Sequence, residues 1–231
     1  MLNISKAPFI VGVLNPKHFD DDLTYLSNHQ PHIIEYRADF ANYSDISSIK
    51  NHLTVIREKI NLPILFTLRD KTERGNFSGS NLQKNNIFLS VINLIDAIDL
   101  EAALAGDNSE IIAIAKEKNL TVILSYHNFD KTPDLSALEI VINNSFDAGA
   151  DISKIATLCD QKNDALRLLS LPVKFQNIAT VGMGKYGPLT RVAAPALGSL
   201  LAYAFTDNSS ALIPGQLTVE QLKLVWKLIG I

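Results

Sequence analysis

The chain of 231 residues is long enough to bury one large core, and its length suits a single α/β barrel domain covering residues 1–231. Its 21 basic and 24 acidic residues give a net charge of -3 without any basic block, so nucleic acid is not an expected partner. The apolar run Phe9 to Leu14 is too short for a signal peptide or a membrane span, which predicts a cytoplasmic protein with no membrane partner.

Short β-prone runs alternate along the chain with longer segments of helical periodicity. After the second run, apolar residues recur at steps of three and four, which predicts an amphipathic helix; they are Ile46, Ile49, Leu53, Ile56 and Ile60. The predicted strands cover residues 9–14, 33–39, 64–69, 97–101, 122–127, 152–157, 178–183 and 211–213.

Local signals mark where two of the helices begin. Thr132 followed by Pro133 is typical of an N-cap and a first helical position. Thr218 with Gln221 three residues later is typical of a capping box. These signals place helix starts shortly after predicted strands, as a repeating β/α pattern requires.

Eight alternating units favour a closed (β/α)₈ barrel, because strands that alternate with helices pair in parallel through right-handed crossovers. An open doubly wound sheet is the alternative. The first strand runs into Gly12-Val13-Leu14-Asn15-Pro16, which lacks the second and third glycines of a dinucleotide-binding turn. In a barrel, polar residues late in the strands are the candidates for function.

The second predicted strand carries three charges on one face. Side chains alternate along a strand, so Glu35, Arg37 and Asp39 point to the same side. A solvated edge strand would explain this pattern, but a closed barrel has no edge. We therefore expect a network of compensating charges that also contacts a polar ligand.

The third and fifth predicted strands also end in polar residues. Arg69 closes the third strand, although an arginine at this position is often only a surface ion-pair partner. On the fifth strand, Ser125 and His127 share a face with Ile123. His127 stands at the end of a strongly apolar strand, which favours general acid or base chemistry over a structural role.

Lys154 is the strongest local anomaly, because it lies in the middle of the sixth strand between apolar neighbours on the same face. Burial and nearby cations lower the pKa of a lysine, and a neutral amine attacks ketones to give an iminium. A structural ion pair with Glu35 or Asp39 is the alternative. The cations expected nearby are Arg37, Arg69 and Arg191.

A glycine-rich loop, Thr180 to Arg191, opens a helix near the carboxyl terminus. Arg191 and free backbone N–H groups there suit a carboxylate, and a phosphate site is the rival interpretation. Pro214-Gly215-Gln216 follows the last predicted strand, and Trp226 is interpreted as packing.

Neither a disulfide nor a metal site is expected. Cys159 is the single cysteine, so it has no partner in the chain. The five histidines are scattered, and no cluster of ligands accompanies them. No cofactor is therefore predicted.

Taken together, these segments resemble the type I 3-dehydroquinate dehydratase family from Phe9 to the final helix. The resemblance implies a lyase that uses no cofactor, acts in aromatic amino acid biosynthesis and forms a homodimer. It rests on Glu35 to Asp39, Phe66 to Arg69 with Glu73, Ser125 to Phe129 with Thr132-Pro133, Lys154-Ile155-Ala156, Met183 to Arg191, and Pro214-Gly215-Gln216.

The resemblance also implies a role for each matching residue. Lys154 forms the imine with the substrate ketone, and His127, partnered by Glu73, removes the C2 proton and protonates the departing C1 hydroxyl. Ring hydroxyls, the carboxylate and the ring itself are held by further residues, with Asp39 supporting the site. The binding residues implied are Glu35, Arg37, Arg69, Met183, Arg191 and Gln216.

The chain departs from the family pattern in three places. Leu212 stands where the family commonly has a lid serine, a contact that Ser209 or Ser210 could replace in a reshaped loop. Arg74 stands where a glycine usually follows Glu73. Few residues precede the first strand, so the hairpin that often covers the barrel floor is expected to be truncated or absent. Other readings remain open: another imine-forming barrel such as a class I aldolase, or a non-catalytic barrel that binds a polyol acid or a protein.

Overall fold

Eight parallel strands form the centre of the computed structural model, which describes residues 2–6, 8–206 and 216–231. They pair in the order β7-β6-β5-β4-β3-β2-β1-β8. β7 and β8 lie side by side, linked where the Leu200 N–H donates to the Ile178 carbonyl at 2.8 Å, so the barrel is nearly closed. The strands are β1 Phe9–Leu14, β2 Ile33–Arg37, β3 Ile64–Thr67, β4 Ala97–Glu101, β5 Thr121–Asn128, β6 Ile152–Leu158, β7 Ile178–Met183 and β8 Leu201–Ala204.

A helix follows each strand and packs on the outside of the barrel, as right-handed β/α crossovers require. Side chains cap several helix starts: Asp45 and Ser80 accept from backbone N–H groups of the first turns that follow them. The helices are α1 Phe19–His29, α2 Ile46–Lys59, α3 Asn81–Val91, α4 Ser109–Glu117, α5 Leu135–Asp147, α6 Lys162–Lys174, α7 Gly187–Ala196 and α8 Val219–Ile229. No helix in these described parts of the chain is both long and apolar enough to cross a membrane.

The barrel interior is divided along the strand direction. Toward the amino ends of the strands it is filled mainly by aliphatic side chains, and Leu2, which precedes β1, packs among them. Toward the carboxyl ends the inward side chains become polar: Glu35, Thr67, Asp99, Ser125 and Lys154 are all buried. Alternation along each strand therefore places a charged layer directly above an apolar one.

Seven of the predicted strands agree with the structure to within two residues at each end. The capping box of Thr218 and Gln221 is confirmed. The prediction for the eighth strand misplaced it: residues 211–213 lie outside the described residues, and β8 is Leu201–Ala204 instead.

Two local predictions were wrong. α5 begins at Leu135 with Asp134 as its N-cap, and the Thr132 hydroxyl instead bonds the Thr157 hydroxyl at 2.8 Å. β2 ends at Arg37, so Asp39 lies in a 3₁₀ turn, Ala38–Phe40, and not on the strand. In place of a hairpin, the turn Ile4–Lys6 precedes β1, and none of the described residues before Phe9 belongs to a strand.

Candidate active site

Two cavities lie where the strands reach their carboxyl ends, and they share Arg37, Arg69 and His127 in their linings. The larger has a volume of about 300 Å³, at the lower end of the range of small-molecule sites. The smaller, of about 50 Å³, reaches into the barrel interior beside Lys154. Their position is the one at which (β/α)₈ barrels hold their active sites.

The structure brings together nine of the ten residues predicted from the sequence. Glu73 and Met183 line the larger cavity with the three shared residues. Asp39 lines neither cavity, but its carboxylate accepts from the Arg37 Nε and Nη2 at 2.8 and 2.9 Å. The residues that line only the smaller cavity are Glu35, Lys154, Arg191 and Gln216.

Lys154 is buried, and its nearest charged partner is an anion. Its Nζ donates to Asp99 Oδ2 at 2.9 Å and lies 4.0 Å from the centre of the Tyr203 ring. From the sequence we expected arginines around this lysine, with Glu35 or Asp39 as the alternative ion-pair partner. The partner is instead Asp99 on β4.

A chain of alternating charges runs from Lys154 to Lys84 on helix α3. Arg69 donates to Asp99 at 2.5 Å and to Glu101 at 3.0 Å, and Lys84 of α3 donates to Glu101 at 2.5 Å. Burial alone would raise the pKa of Asp99, but Arg69 and Lys154 hold that pKa well below its usual range. Each charge in this chain therefore has an opposite partner, which offsets the cost of removing it from water.

His127 is joined to Glu73 by a hydrogen bond of 2.7 Å between Nδ1 and Oε2. Burial and the cations of Arg69 and Lys154 lower the pKa of His127 well below its ordinary value, so the imidazole is neutral at pH 7. Burial also raises the pKa of Glu73 to about 7, despite the opposing effect of Arg69. When Glu73 is ionised, it accepts from Nδ1–H and leaves the lone pair of Nε2 available as a base.

Arg74, which stands where the family usually has a glycine, adopts the backbone conformation typical of glycine. Its φ of 56° and ψ of 26° are left-handed, so the backbone follows a path that glycine adopts without strain. Its guanidinium lies 4.6 Å from the centre of the Phe129 ring, and Phe129 stacks on His127 with 6.0 Å between ring centres. The next residue, Gly75, has no room for a side chain, because a Cβ would lie 2.0 Å from the Arg69 carbonyl oxygen.

Three polar groups beside the smaller cavity have no hydrogen-bond partner among the described residues: Arg191 Nη2, Tyr203 Oη and Gln216 Oε1. Arg191 is fixed by its other nitrogens, which donate to the Gly182 and Tyr203 carbonyls at 2.6 and 3.2 Å. Burial lowers the pKa of Arg191 to about 10, so it stays charged at neutral pH. A fixed cation with one free nitrogen suits an anionic ligand.

Sequence reasoning missed Asp99, Glu101, Lys84 and Tyr203. On β4 the inward positions alternate Ala97, Asp99 and Glu101, the same pattern that identified Glu35 and Arg37. The two acidic residues could therefore have been found by alternation. Among residues 2–6, 8–206 and 216–231, no group of three or more His, Cys, Asp or Glu is arranged to hold a metal ion.

The fold and the side chains at the strand ends define a (β/α)₈ barrel enzyme with a cationic site for a small molecule. The family model for type I 3-dehydroquinase matches residues 10–231, and the chain belongs to that family.

Relatives and solved structures agree with this assignment. The chain is 33% identical to a 3-dehydroquinate dehydratase of Methanococcoides burtonii over 222 residues, which cover 96% of this chain and 94% of the relative. The crystal structure of the 3-dehydroquinate dehydratase from Geobacillus kaustophilus is similar with a TM-score of 0.88 at 25% identity, covering 97% and 92% of the two chains. A type I enzyme from Clostridium difficile, determined with covalently modified comenic acid, gives 0.87 at 28% identity over 96% and 92%.

Proposed function

We propose that this protein dehydrates 3-dehydroquinate to 3-dehydroshikimate through an imine on Lys154, in the shikimate pathway. The observation that carries the proposal is the burial of the Lys154 amine in a cavity that His127 also lines. Membership of the type I 3-dehydroquinase family supports the substrate. The covalently modified ligand in the Clostridium difficile relative supports covalent chemistry in this family.

In the first step Lys154 gives a proton to His127, and the freed amine attacks the C3 ketone. The carbinolamine hydroxyl then takes the proton back from His127 and leaves as water, which gives an iminium. The iminium keeps the positive charge that the ammonium carried. Asp99, which is 2.9 Å from Nζ and is itself held by Arg69 and Ser125, is the counter-ion at the place where this charge forms. The iminium draws electrons from C2 and acidifies its proton.

In the second step His127 Nε2 takes the C2 proton, and the same nitrogen protonates the C1 hydroxyl as it leaves as water. Glu73 holds the ring through Nδ1 and stabilises the imidazolium that forms between the two transfers. Stacking on Phe129 fixes the plane of the imidazole. Water then hydrolyses the product imine and returns Lys154 to its resting state.

Substrate binding is assigned to groups that retain free hydrogen-bonding capacity. The free Nη2 of Arg191 suits the carboxylate, and Gln216 Oε1 suits a ring hydroxyl. Glu35, held by the Thr67 hydroxyl at 2.7 Å, suits another hydroxyl. Met183 packs against the ring, and Arg37 and Arg69 add positive charge to the site.

The dehydration itself can be tested with an absorbance assay. The product is a conjugated enone acid that absorbs in the ultraviolet, whereas the substrate does not, so adding 3-dehydroquinate to the folded protein should raise the absorbance. A flat trace with folded protein would reject the proposed reaction. We further propose, from the family resemblance, that the protein is a cytoplasmic homodimer; gel filtration with light scattering tests the oligomeric state.

A further inference from the structure

Tyr203 occupies an unusual position in the barrel. It points inward from β8, it is 5% exposed, and its ring face lies 4.0 Å from the Lys154 Nζ. Its hydroxyl has no hydrogen-bond partner among residues 2–6, 8–206 and 216–231. The ring therefore has a clear contact, a cation–π interaction with the lysine, but the hydroxyl does not.

A buried hydroxyl without a partner is costly, because folding removes its hydrogen bonds to water and returns none. Phenylalanine would make the same ring contact without that cost. The tyrosine hydroxyl lies beside the smaller cavity, where Arg191 and Gln216 also have unpartnered atoms. These atoms together indicate that a polar ligand completes the hydrogen bonding.

The charges around the hydroxyl indicate which ligand group it meets. Burial together with the anions Glu35 and Asp99 raises the pKa of Tyr203 well above its ordinary value, so the phenol is a neutral donor. A carboxylate placed between two anions would be repelled, whereas a neutral hydroxyl would not. A ligand hydroxyl can donate a hydrogen bond to Glu35 and accept one from Tyr203, since a hydroxyl is both donor and acceptor.

We propose that Tyr203 is a further substrate-binding residue whose hydroxyl donates a hydrogen bond to a ring hydroxyl of the substrate, while Glu35 accepts a hydrogen bond from that same hydroxyl. This assignment rests on the proposed function. It makes the site specific for the hydroxyl, because an analogue lacking it leaves the Tyr203 hydroxyl unpaired in a buried site and removes one hydrogen bond from Glu35.

The test compares Tyr203→Phe with Tyr36→Phe. Tyr36 is also buried, but it faces the helices, and its hydroxyl is bonded to His52 Nδ1 at 2.9 Å. Tyr203→Phe should leave the melting temperature of the free protein unchanged or raised and should increase KM about tenfold, with kcat less affected. Tyr36→Phe should lower the melting temperature and leave KM unchanged.

Substrate analogues that each lack one ring hydroxyl identify the group that Tyr203 contacts. For the analogue that lacks the contacted hydroxyl, the wild type and Tyr203→Phe should have the same KM. A Tyr203→Phe variant with wild-type KM, or with a melting temperature lowered as in Tyr36→Phe, would overturn the assignment. Wild-type protein that does not turn over 3-dehydroquinate would instead overturn the proposed function. The two failures are therefore distinguishable.

Discussion

The two halves of the barrel interior are built from the same strands with the same alternation, yet their chemistry is opposite. The amino half is filled by aliphatic side chains such as Val11, Ile33 and Leu65. Two residues further along the strands, the inward positions hold charged and polar groups such as Glu35 and Thr67. The first half is an apolar core, and the second carries the side chains of the candidate active site.

Burial of charge is tolerated in the carboxyl half because nearly every charge has a partner. Asp99 accepts from Arg69, Ser125 and Lys154, and Glu101 accepts from Arg69 and Lys84. An apolar core tolerates substitutions that conserve volume, whereas a buried ion that loses its partner destabilises the fold strongly. Substitutions in the two halves should therefore fail in different ways.

The largest effect is expected from Lys154→Ala, set against Leu65→Ala in the amino half. Loss of the nucleophile should lower kcat by at least about 10⁴-fold while the protein stays folded. Leu65→Ala should instead lower the free energy of unfolding by about 2–5 kcal/mol and preserve kcat per folded molecule. Turnover assays and urea unfolding of both variants measure the contrast. Comparable turnover by the two variants would contradict it.

Asp99→Asn should lower the free energy of unfolding more than other substitutions in the charged half of the barrel. It leaves Arg69 and Lys154 without their shared anion, which we expect to cost about 3–5 kcal/mol. Lys116→Met removes a partly exposed lysine bonded to Asp151 at 2.5 Å and is the control, with an expected loss below about 1 kcal/mol. Equal unfolding midpoints for the two variants would show that the buried network does not hold the fold.

Glu73→Gln should change the pH dependence of turnover. In the wild type, kcat/KM should fall as the pH drops below about 7, because protonated Glu73 no longer accepts from Nδ1–H and the base is lost. The variant should be about 10²-fold slower at neutral pH and lose this inflection. An unchanged inflection would assign the titration to another group.

The same substitution has a predicted effect on stability. Because the folded pKa of Glu73, about 7, is above the ordinary value of 4.5, its stabilising contribution is complete below pH 4.5 and is lost as the pH rises through 7. Glu73→Gln should therefore gain stability relative to the wild type between pH 5 and 8, by on the order of 3 kcal/mol at most. Unfolding curves of the wild type and of Glu73→Gln, measured at pH 5 and at pH 8, test whether the variant gains stability relative to the wild type.

The smallest effects are expected at Arg74. Arg74→Gly relieves a left-handed backbone but loses the contact with Phe129, so its unfolding free energy should stay within about 1 kcal/mol of the wild type. Arg74→Ala loses the contact and keeps the strain, so it should be less stable than Arg74→Gly by about 1 kcal/mol. The reverse order would contradict the backbone explanation.

Alternation and strand ends were enough to predict the barrel and five of the candidate site residues, whereas Glu73, Met183 and Gln216 were predicted only from the family resemblance. Glu35, His127 and Lys154 stood out because a charged or titratable residue interrupts an apolar strand. Lys84 could not be found this way, because it reaches the network from α3 and only the fold brings it to Glu101. Tyr203 was missed with its strand, whose four residues do not display the period of a strand clearly.

Reduction of the enzyme with borohydride in the presence of 3-dehydroquinate tests the central claim most directly. An imine on Lys154 should be trapped as one adduct, with the added mass of the substrate or product less one oxygen atom, on the peptide that contains this lysine. Lys154→Ala should give no adduct. An adduct on another lysine, or none from protein that turns the substrate over, would contradict the account.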